Sequence, residues 1–272
     1  MNSDSYFEQG NGHTICEDYA THWSNDNCAL AIVADGCSNS KKTDFGARIV
    51  AEVFSTTIRR LLGDSLVLTG DPTPVIKGLI KDKITAINSQ IGFPSSVYDA
   101  TIVAALATKN DNSLHLFIWG DGIINVQRGE KAMLYQASYE SNAPYYFAYE
   151  LSKTGRASEY AKLYGDNRAT LYRQGVSEKI QPFYWERQEL TGETNVTTVS
   201  VMSDGLGTYS RINEEQEAAP IEAAQIVKEL TTFKNTTGEF VQRRMRRHQK
   251  GCKTNNITHF DDISCASIAN IA

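Results

Sequence analysis

The chain has 272 residues, of which 41% are hydrophobic and 10% aromatic, so it has enough apolar material for a sizeable core. Its 27 basic and 32 acidic residues give a formal net charge of −5, which argues against a protein that binds nucleic acid over its whole surface. Its apolar stretches are too short to span a bilayer, and its five cysteines contain no C-x-x-C pair, which excludes a zinc ribbon and argues against a disulfide framework.

A strand and two amphipathic helices are the first predicted elements. The apolar run 29–34 predicts a strand, and residues 45–62 repeat apolar side chains at spacings of three to five, which predicts a helix with Thr43 as its N-cap. A second apolar stripe over 76–91 predicts another helix that ends at Gly92. A turn rich in Gly, Asp and Pro joins the two helices, so we expect them to lie antiparallel on one face of a sheet.

Further strands alternate with polar turns along the rest of the chain. They are predicted over 101–108, 113–119, 123–128, 132–136, 197–202 and 263–268. Two helical stretches, 220–232 and 238–249, lie between the last two strands. Antiparallel sheets with helices packed outside fit this order better than a doubly wound parallel sheet, so the predicted fold class is α+β.

The middle of the chain, at about 139–186, has little periodicity and is rich in tyrosine. Nine of the thirteen tyrosines lie between Tyr135 and Tyr184. Two hypotheses stand side by side, a flap that faces the substrate and an insertion packed by its own aromatic rings. Because no linker divides the chain, we expect one domain over 1–272 that carries this segment.

Acidic residues stand at the ends of several predicted strands. Asp35, Asp121 and Asp204 each follow a strand and adjoin a glycine, Asp261 precedes the last strand, and residues 17–18 precede the first. Carboxylates held at neighbouring strand ends repel one another unless a cation neutralises them, and hard oxygen ligands suit Mg²⁺ or Mn²⁺. This pattern by itself predicts no more than a metal-dependent hydrolase.

Six short blocks resemble, in the same order, motifs of the PPM family, the PP2C-type metal-dependent serine/threonine phosphatases. The blocks are Glu17-Asp18, Val33-Ala34-Asp35-Gly36, Asp99-Ala100-Thr101, Gly120-Asp121-Gly122, Ser203-Asp204-Gly205 and Asp261-Asp262. The family motifs are E-D, A-D-G, G-T-T, G-D-S-R, S-D-G and D-N. The resemblance covers nearly the whole chain except the tyrosine-rich middle. It implies a four-layer αββα sandwich, with two antiparallel β-sheets flanked by pairs of helices and a metal centre at one end.

The resemblance also implies the ligands of two metal ions. Carried over block by block, Asp35 would bridge both ions, and Asp204 and Asp261 would complete one site. Glu17 and the carbonyl of Gly36 would serve the other site.

Three further acids receive roles from the same resemblance. Asp121, with Asp204, corresponds to a third metal site of bacterial members. Asp18 would hold a metal-bound water, which makes Asp35, Asp204 and Asp18 the predicted catalytic group, and Asp262 would lie in the outer shell.

The sequence departs from the family where the substrate phosphate binds. Family members commonly carry an arginine four residues before the metal-binding glutamate, and here that position is His13. A histidine is shorter and only partly charged at neutral pH, so it cannot supply the same bidentate contact. Lys41 and Lys42 are candidates to supply replacement charge, and the alternative is that both are solvated loop lysines.

The resemblance implies a protein serine/threonine phosphatase that uses Mg²⁺ or Mn²⁺, with two or three ions, and a metal-bridging hydroxide that attacks phosphoserine or phosphothreonine. Two alternatives stay open. One is a catalytically weak pseudo-phosphatase that acts as a binding module, which His13 favours. The other is a small-molecule phosphoesterase, which only the basic stretch 243–248 favours. We expect a cytoplasmic, monomeric signalling protein that acts on phosphorylated protein and binds neither membrane nor nucleic acid.

Overall fold

The computed structural model describes residues 1–63, 70–151, 155–165, 168–190, 196–213, 215 and 217–271. The strands within these residues are β1 (Asn2–Glu8), β2 (Asp18–Ser24), β3 (Cys28–Asp35), β4 (Ile102–Thr108), β5 (Ser113–Trp119), β6 (Gly122–Arg128), β7 (Lys131–Ser138), β8 (Ala169–Arg173), β9 (Val176–Ile180), β10 (Phe183–Glu189), β11 (Val196–Met202), β12 (Tyr209–Ile212), β13 (Ala218–Pro220), β14 (Ile257–His259) and β15 (Ile263–Ala269). The helices are α1 (Thr43–Gly63), α2 (Thr73–Ile91), α3 (Ala148–Leu151), α4 (Arg156–Tyr164), α5 (Ala223–Thr231) and α6 (Phe240–Thr254). Two 3₁₀ turns span Ser95–Tyr98 and Asp204–Thr208.

Two large antiparallel sheets form the centre of the molecule. The seven-stranded sheet has the order β1-β15-β11-β6-β7-β8-β9, and the five-stranded sheet has the order β10-β5-β4-β3-β2. A small sheet of order β13-β12-β14 stands apart from them. The two large sheets share one core, in which Val33 and Leu116 of the five-stranded sheet pack with Val126, Val199 and Ile268 of the seven-stranded sheet.

Each large sheet packs its other face against helices. Phe54 of α1 and Ile80 of α2 lie in one core with Trp119 of β5, on the outer face of the five-stranded sheet. The outer face of the seven-stranded sheet packs against α5 and α6 in a third core, which contains Leu230 and Met245. Burial of each such side chain contributes roughly 1.5–3 kcal/mol, so the three cores hold four layers together in the order αββα. The predicted fold class is confirmed.

Both helices of the first pair are confirmed, with one correction at a cap. The second helix ends as predicted at Gly92, whose φ of 68° lets its N–H reach the carbonyl of Asn88. The prediction that Thr43 is the N-cap of α1 is wrong, because Thr43 is itself the first helical residue. Its hydroxyl instead donates to Glu17, at 2.6 Å, and to the carbonyl of Cys37. The side chain therefore positions an acid of the candidate site.

The tyrosine-rich middle contains more regular structure than its sequence indicates. Where it is described, it forms α3, α4 and three strands, of which β8 and β9 extend the seven-stranded sheet and β10 is the edge of the five-stranded sheet. Its rings also pack on one another: Tyr145 contacts Tyr149, Tyr160 and Phe183 at centroid distances of 5.1–5.7 Å. This packing is what the hypothesis of a self-packed insertion predicts. Residues 152–154 and 166–167 of the segment lie outside the described residues.

The residues of the basic stretch 243–248 lie on more than one face of α6. Met245 and His248 are buried, and His248 pairs with Glu229 of α5. Arg244 donates to the backbone of α5, whereas Arg246 and Arg247 are exposed. No helix in the described part of the chain is long and apolar enough to cross a membrane.

Candidate active site

Asp18 and Asp35 face each other at the same end of two neighbouring strands. They are direct partners in the antiparallel register of β2 and β3. Directly after this pair, the N–H of Gly36 donates to the carbonyl of Glu17 at 3.2 Å, and Gly36 forms an isolated antiparallel bridge with Ala100. Thr101 holds the backbone of Asp35 from the other side, since its N–H donates to the Asp35 carbonyl at 2.8 Å.

Two glycines beside the acids are required by close packing. A Cβ at Gly36 would lie 2.9 Å from the carbonyl oxygen of Glu17 and from Thr43. A Cβ at Gly205 would lie 1.9 Å from the backbone oxygen of Asp262. Any other residue at these positions would push apart the loops that carry the acids.

A third and a fourth carboxylate join this pair from the seven-stranded sheet. Asp121 stands in the tight turn between β5 and β6, and Asp204 begins the 3₁₀ turn after β11. Burial, followed by the charges of Asp18 and Asp204, raises the pKa of Asp35 well above its ordinary value. Burial and the charge of Asp204 do the same to the pKa of Asp121. Four acids from both sheets therefore lie close enough to repel one another.

Asp18 is the most enclosed of these acids. It is 1% exposed, and neither of its carboxylate oxygens has a hydrogen bond of ordinary geometry. Burial raises its pKa to about 7, although the nearby hydroxyls of Ser203 and Ser264 act to lower it. A buried carboxylate without a partner is costly unless a cation or a proton neutralises it.

The donor set of the site fits a hard divalent cation. Carboxylate oxygens are the ligands that Mg²⁺ and Mn²⁺ prefer, and no lysine or arginine of the described residues forms an ion pair with Asp18, Asp35, Asp121 or Asp204. As the side chains stand, no group of three or more His, Cys, Asp or Glu within the described ranges is arranged to hold an ion. The chemistry of the donor set therefore fits such a cation, although its side chains do not form a coordination site as they stand.

Asp262 organises the loop that precedes β2. One carboxylate oxygen accepts the N–H of Gly10 at 2.7 Å, and the other accepts the N–H of Glu17 at 2.6 Å. His13 Nδ1 lies 2.9 Å from the same carboxylate, and His13 Nε2 lies 3.3 Å from Asp261. Burial acts to lower the pKa of His13, but the hydrogen bond to Asp262 and the charges of both aspartates raise it above its ordinary value. Both ring nitrogens are therefore already engaged by protein carboxylates.

A cleft of about 460 Å³ opens over the acids. Of the residues predicted from the sequence to form the site, those that line it are His13, Asp35, Gly36, Asp121, Asp204 and Asp261. Glu17 and Asp18 lie behind this surface, with Glu17 bound to Thr43. Lys41 and Lys42 are exposed outside the cleft lining, and the Lys42 ammonium lies 5.2 Å from the ring of Phe93.

Part of the cleft lining comes from the tyrosine-rich segment. Tyr146, Tyr149, Tyr164 and Arg156 line the cleft. Arg156 donates from both terminal nitrogens to the two carboxylate oxygens of Asp99, at 2.8 and 2.7 Å. None of the four lining residues Tyr146, Tyr149, Arg156 and Tyr164 is predicted from the sequence as part of the site. Because the segment lacks periodicity, nothing in its sequence indicates which of its side chains turn toward the acids.

Comparisons with known proteins agree with this fold. A family model described as protein phosphatase 2C matches residues 10–246. A bacterial serine phosphatase structure is 15% identical, with a TM-score of 0.57, and the alignment covers 99% of this chain and 97% of that one. The serine/threonine phosphatase Stp1 from Staphylococcus aureus is 14% identical, with a TM-score of 0.54 and coverage of 99% and 95%.

The structure of the PP2C phosphatase domain and a regulatory fragment of SpoIIE from Bacillus subtilis is 13% identical, with a TM-score of 0.52. That alignment covers 98% of this chain and 62% of that one. At such low identities these likenesses establish the fold alone. No curated protein matches the sequence.

Proposed function

The chain belongs to the protein phosphatase 2C family, and from that premise we propose that it is a metal-dependent protein serine/threonine phosphatase. The observation that carries the proposal is the convergence of Asp35, Asp121, Asp204 and Asp261 on one cleft, where no lysine or arginine of the described ranges pairs with the first three. Such a set of carboxylates needs divalent cations, and we propose two or three Mg²⁺ or Mn²⁺ ions. The substrate is a phosphorylated protein.

The proposed roles of the residues follow from their positions. Asp35, Asp204, Asp261, Asp121, Glu17 and the carbonyl of Gly36 would hold the ions. Bound ions of this kind lower the pKa of a water molecule and neutralise phosphoryl oxygens, which supplies a nucleophile at neutral pH.

Asp18 and Asp262 would position the residues that hold the ions. Asp18 lies opposite Asp35 in the register and would hold a proton or orient a water behind it. Asp262 fixes the backbone of Glu17, and its second contact holds His13 beside Asp261. Both are positioning residues, because neither lines the cleft.

Hydrolysis of para-nitrophenyl phosphate with and without Mn²⁺ tests the proposal. We expect turnover that depends on Mn²⁺ and that Asp35→Ala or Asp204→Ala abolishes. Asp82→Ala removes an exposed acid of α2 and is the matched control, which should retain activity. Equal turnover in the Asp35→Ala variant and the wild type would contradict the assignment. A higher kcat/KM for a phosphothreonine peptide than for a nucleotide would then exclude a small-molecule phosphoesterase.

A second candidate function is that of a pseudo-phosphatase, a module that binds phosphoprotein without turnover. The engagement of both His13 nitrogens by Asp261 and Asp262 favours it, because no arginine stands at that position to bind phosphate. Binding of a phosphopeptide without phosphate release, in the presence of Mn²⁺, would support this alternative. We also propose that 1–272 acts as a monomeric, cytoplasmic single domain, with the tyrosine-rich segment at about 139–186 as a flap or insertion and no membrane or nucleic-acid partner.

A further inference from the structure

We propose that Arg156 binds the phosphoryl group of the substrate and that Asp99 positions it for this contact. The inference rests on the proposed function, because it names the residue that would recognise phosphate in the same cleft. It assigns the role to the first residue of α4, in the tyrosine-rich segment that contributes to the cleft lining.

The other basic residues near the cleft are not placed to bind phosphate. Both ring nitrogens of His13 lie against aspartates, at 2.9 and 3.3 Å. Lys41 and Lys42 do not line the cleft. Among the described residues that do line it, Arg156 is the one arginine or lysine. A phosphate dianion that enters this acidic cleft needs N–H donors of positive charge, and Arg156 is where the described structure offers them.

Asp99 fixes the guanidinium close to the acids. Its carboxylate takes both terminal nitrogens of Arg156 and also accepts the hydroxyl of Ser40 at 2.9 Å. Its carbonyl accepts the N–H of Cys37 at 2.8 Å, two residues after Asp35. The side chain of Asp99 is 3% exposed and that of Arg156 is 21% exposed. The acid is therefore buried as an anchor, while the arginine keeps an accessible edge.

The guanidinium has donors left for a ligand. An arginine carries five N–H bonds, and the contact with Asp99 uses two of them. Arg156 makes no further hydrogen bond to a described residue, so its Nε–H and two Nη–H bonds have no acceptor among the residues that the structure describes. The edge of the plane that carries Nε–H and one Nη–H matches the spacing of two phosphate oxygens. The ring of Tyr149, 4.7 Å from the guanidinium carbon, supports one face of that plane.

Kinetics and phosphate binding test the assignment. In Arg156→Ala we expect the KM for a phosphothreonine peptide and the inhibition constant of inorganic phosphate to rise about 10–100-fold, because charge-assisted hydrogen bonds to the phosphate are lost. We expect kcat to change by less than about threefold, because the contact is made before and during the reaction. Arg156→Lys keeps the positive charge but loses the paired N–H donors, so its KM and inhibition constant should lie between those of the wild type and Arg156→Ala.

Two further variants separate the guanidinium from its surroundings. Arg156→Ala alone leaves the buried Asp99 carboxylate unpaired, so the double variant Arg156→Ala/Asp99→Asn removes that charge as well. Arg173→Ala is the matched control, because Arg173 also pairs with a carboxylate, Glu186, and stacks on Tyr135, but does not line the cleft. We expect weak phosphate binding in the double variant and wild-type values in the control. Wild-type phosphate affinity in the double variant would overturn the proposal.

Titration calorimetry of inorganic phosphate, with Mg²⁺ present, gives a result even without turnover. If the wild type releases no phosphate from the peptide but binds phosphate through Arg156, the inference stands and the phosphatase assignment fails. If turnover depends on metal but Arg156→Ala leaves KM and phosphate affinity unchanged, the inference fails and the phosphatase assignment stands. A wild type that neither binds phosphate nor turns over substrate contradicts both.

Discussion

The clearest energetic consequence of the site concerns Asp18 in the metal-free protein. Burial raises its pKa to about 7, whereas an unfolded chain restores a value near 3.8. Between these values the folded state holds a proton that the unfolded state has lost, so the contribution of Asp18 to stability falls as pH rises. About three pH units at 1.36 kcal/mol each give a penalty on the order of 4 kcal/mol at pH 7.5.

The Asp18→Asn variant removes this penalty, because asparagine has nearly the shape of the protonated acid. With chelator present, we expect its free energy of unfolding at pH 7.5 to exceed that of the wild type by up to about 4 kcal/mol, and its Tm to be several degrees higher. At pH 4 the two proteins should be nearly equal. Urea unfolding of both proteins at both pH values measures the difference.

Two comparisons make the Asp18 prediction refutable. Asp82→Asn removes an exposed acid and should change stability by less than about 0.5 kcal/mol at either pH. Added Mg²⁺ should stabilise the wild type more than Asp18→Asn, since the carboxylate no longer repels its neighbours once cations are bound. A variant that is less stable than the wild type at pH 7.5, or a difference that does not depend on pH, would refute the electrostatic account of this site.

Three other predictions test separate parts of the structure. Asp4→Ala should lower the free energy of unfolding, measured in urea, by roughly 1–2 kcal/mol, because the Asp4 carboxylate accepts two backbone N–H groups of the first turn of α6. Asp4→Asn should lower it by less. Gly205→Ala should lower the free energy of unfolding by about 1–3 kcal/mol or more and remove most activity, since its Cβ would overlap Asp262. Gly207→Ala has open space around its Cβ and should resemble the wild type in thermal unfolding and turnover. Burial lowers the pKa of His115 to about 4, so the free energy of unfolding should fall as pH drops from 6.5 to 4. In denaturant titrations over that range, His115→Gln should lose less stability than the wild type.

Periodicity carried most of the fold prediction. Every strand predicted between 29 and 136 exists with shifts of one or two residues. The reason is that β3, β4 and β5 are nearly continuous apolar runs buried on both faces, and β6 is buried over most of its length. In β7 only Tyr135 and Ala137 are buried. The helix pair α1 and α2 follows from apolar stripes that reach the core through Phe54 and Ile80. The strands β8, β9 and β10 were not predicted, since β9 is largely exposed and β10 is only half-buried, which leaves no clear alternation of apolar and polar residues.

The acids of the site were predictable, but their partners were not. Asp35, Asp121 and Asp204 stand beside glycines at strand ends, a signal that is local in the sequence. The pair Arg156 and Asp99 joins residues 57 positions apart through tertiary packing of an irregular segment. Likewise, the sequence could not show that His13 is bound between two aspartates, because that contact depends on how the first loop folds against the last strand.

The measurement that tests the account most directly is phosphate release from a phosphothreonine peptide by the purified protein. The protein is first treated with chelator and then titrated with Mn²⁺. We predict no release after chelation, recovery as Mn²⁺ is added, and no recovery in Asp35→Ala. Release that persists at full rate after chelation, or that recovers equally in Asp35→Ala, would contradict a metal-dependent phosphatase centred on this cleft.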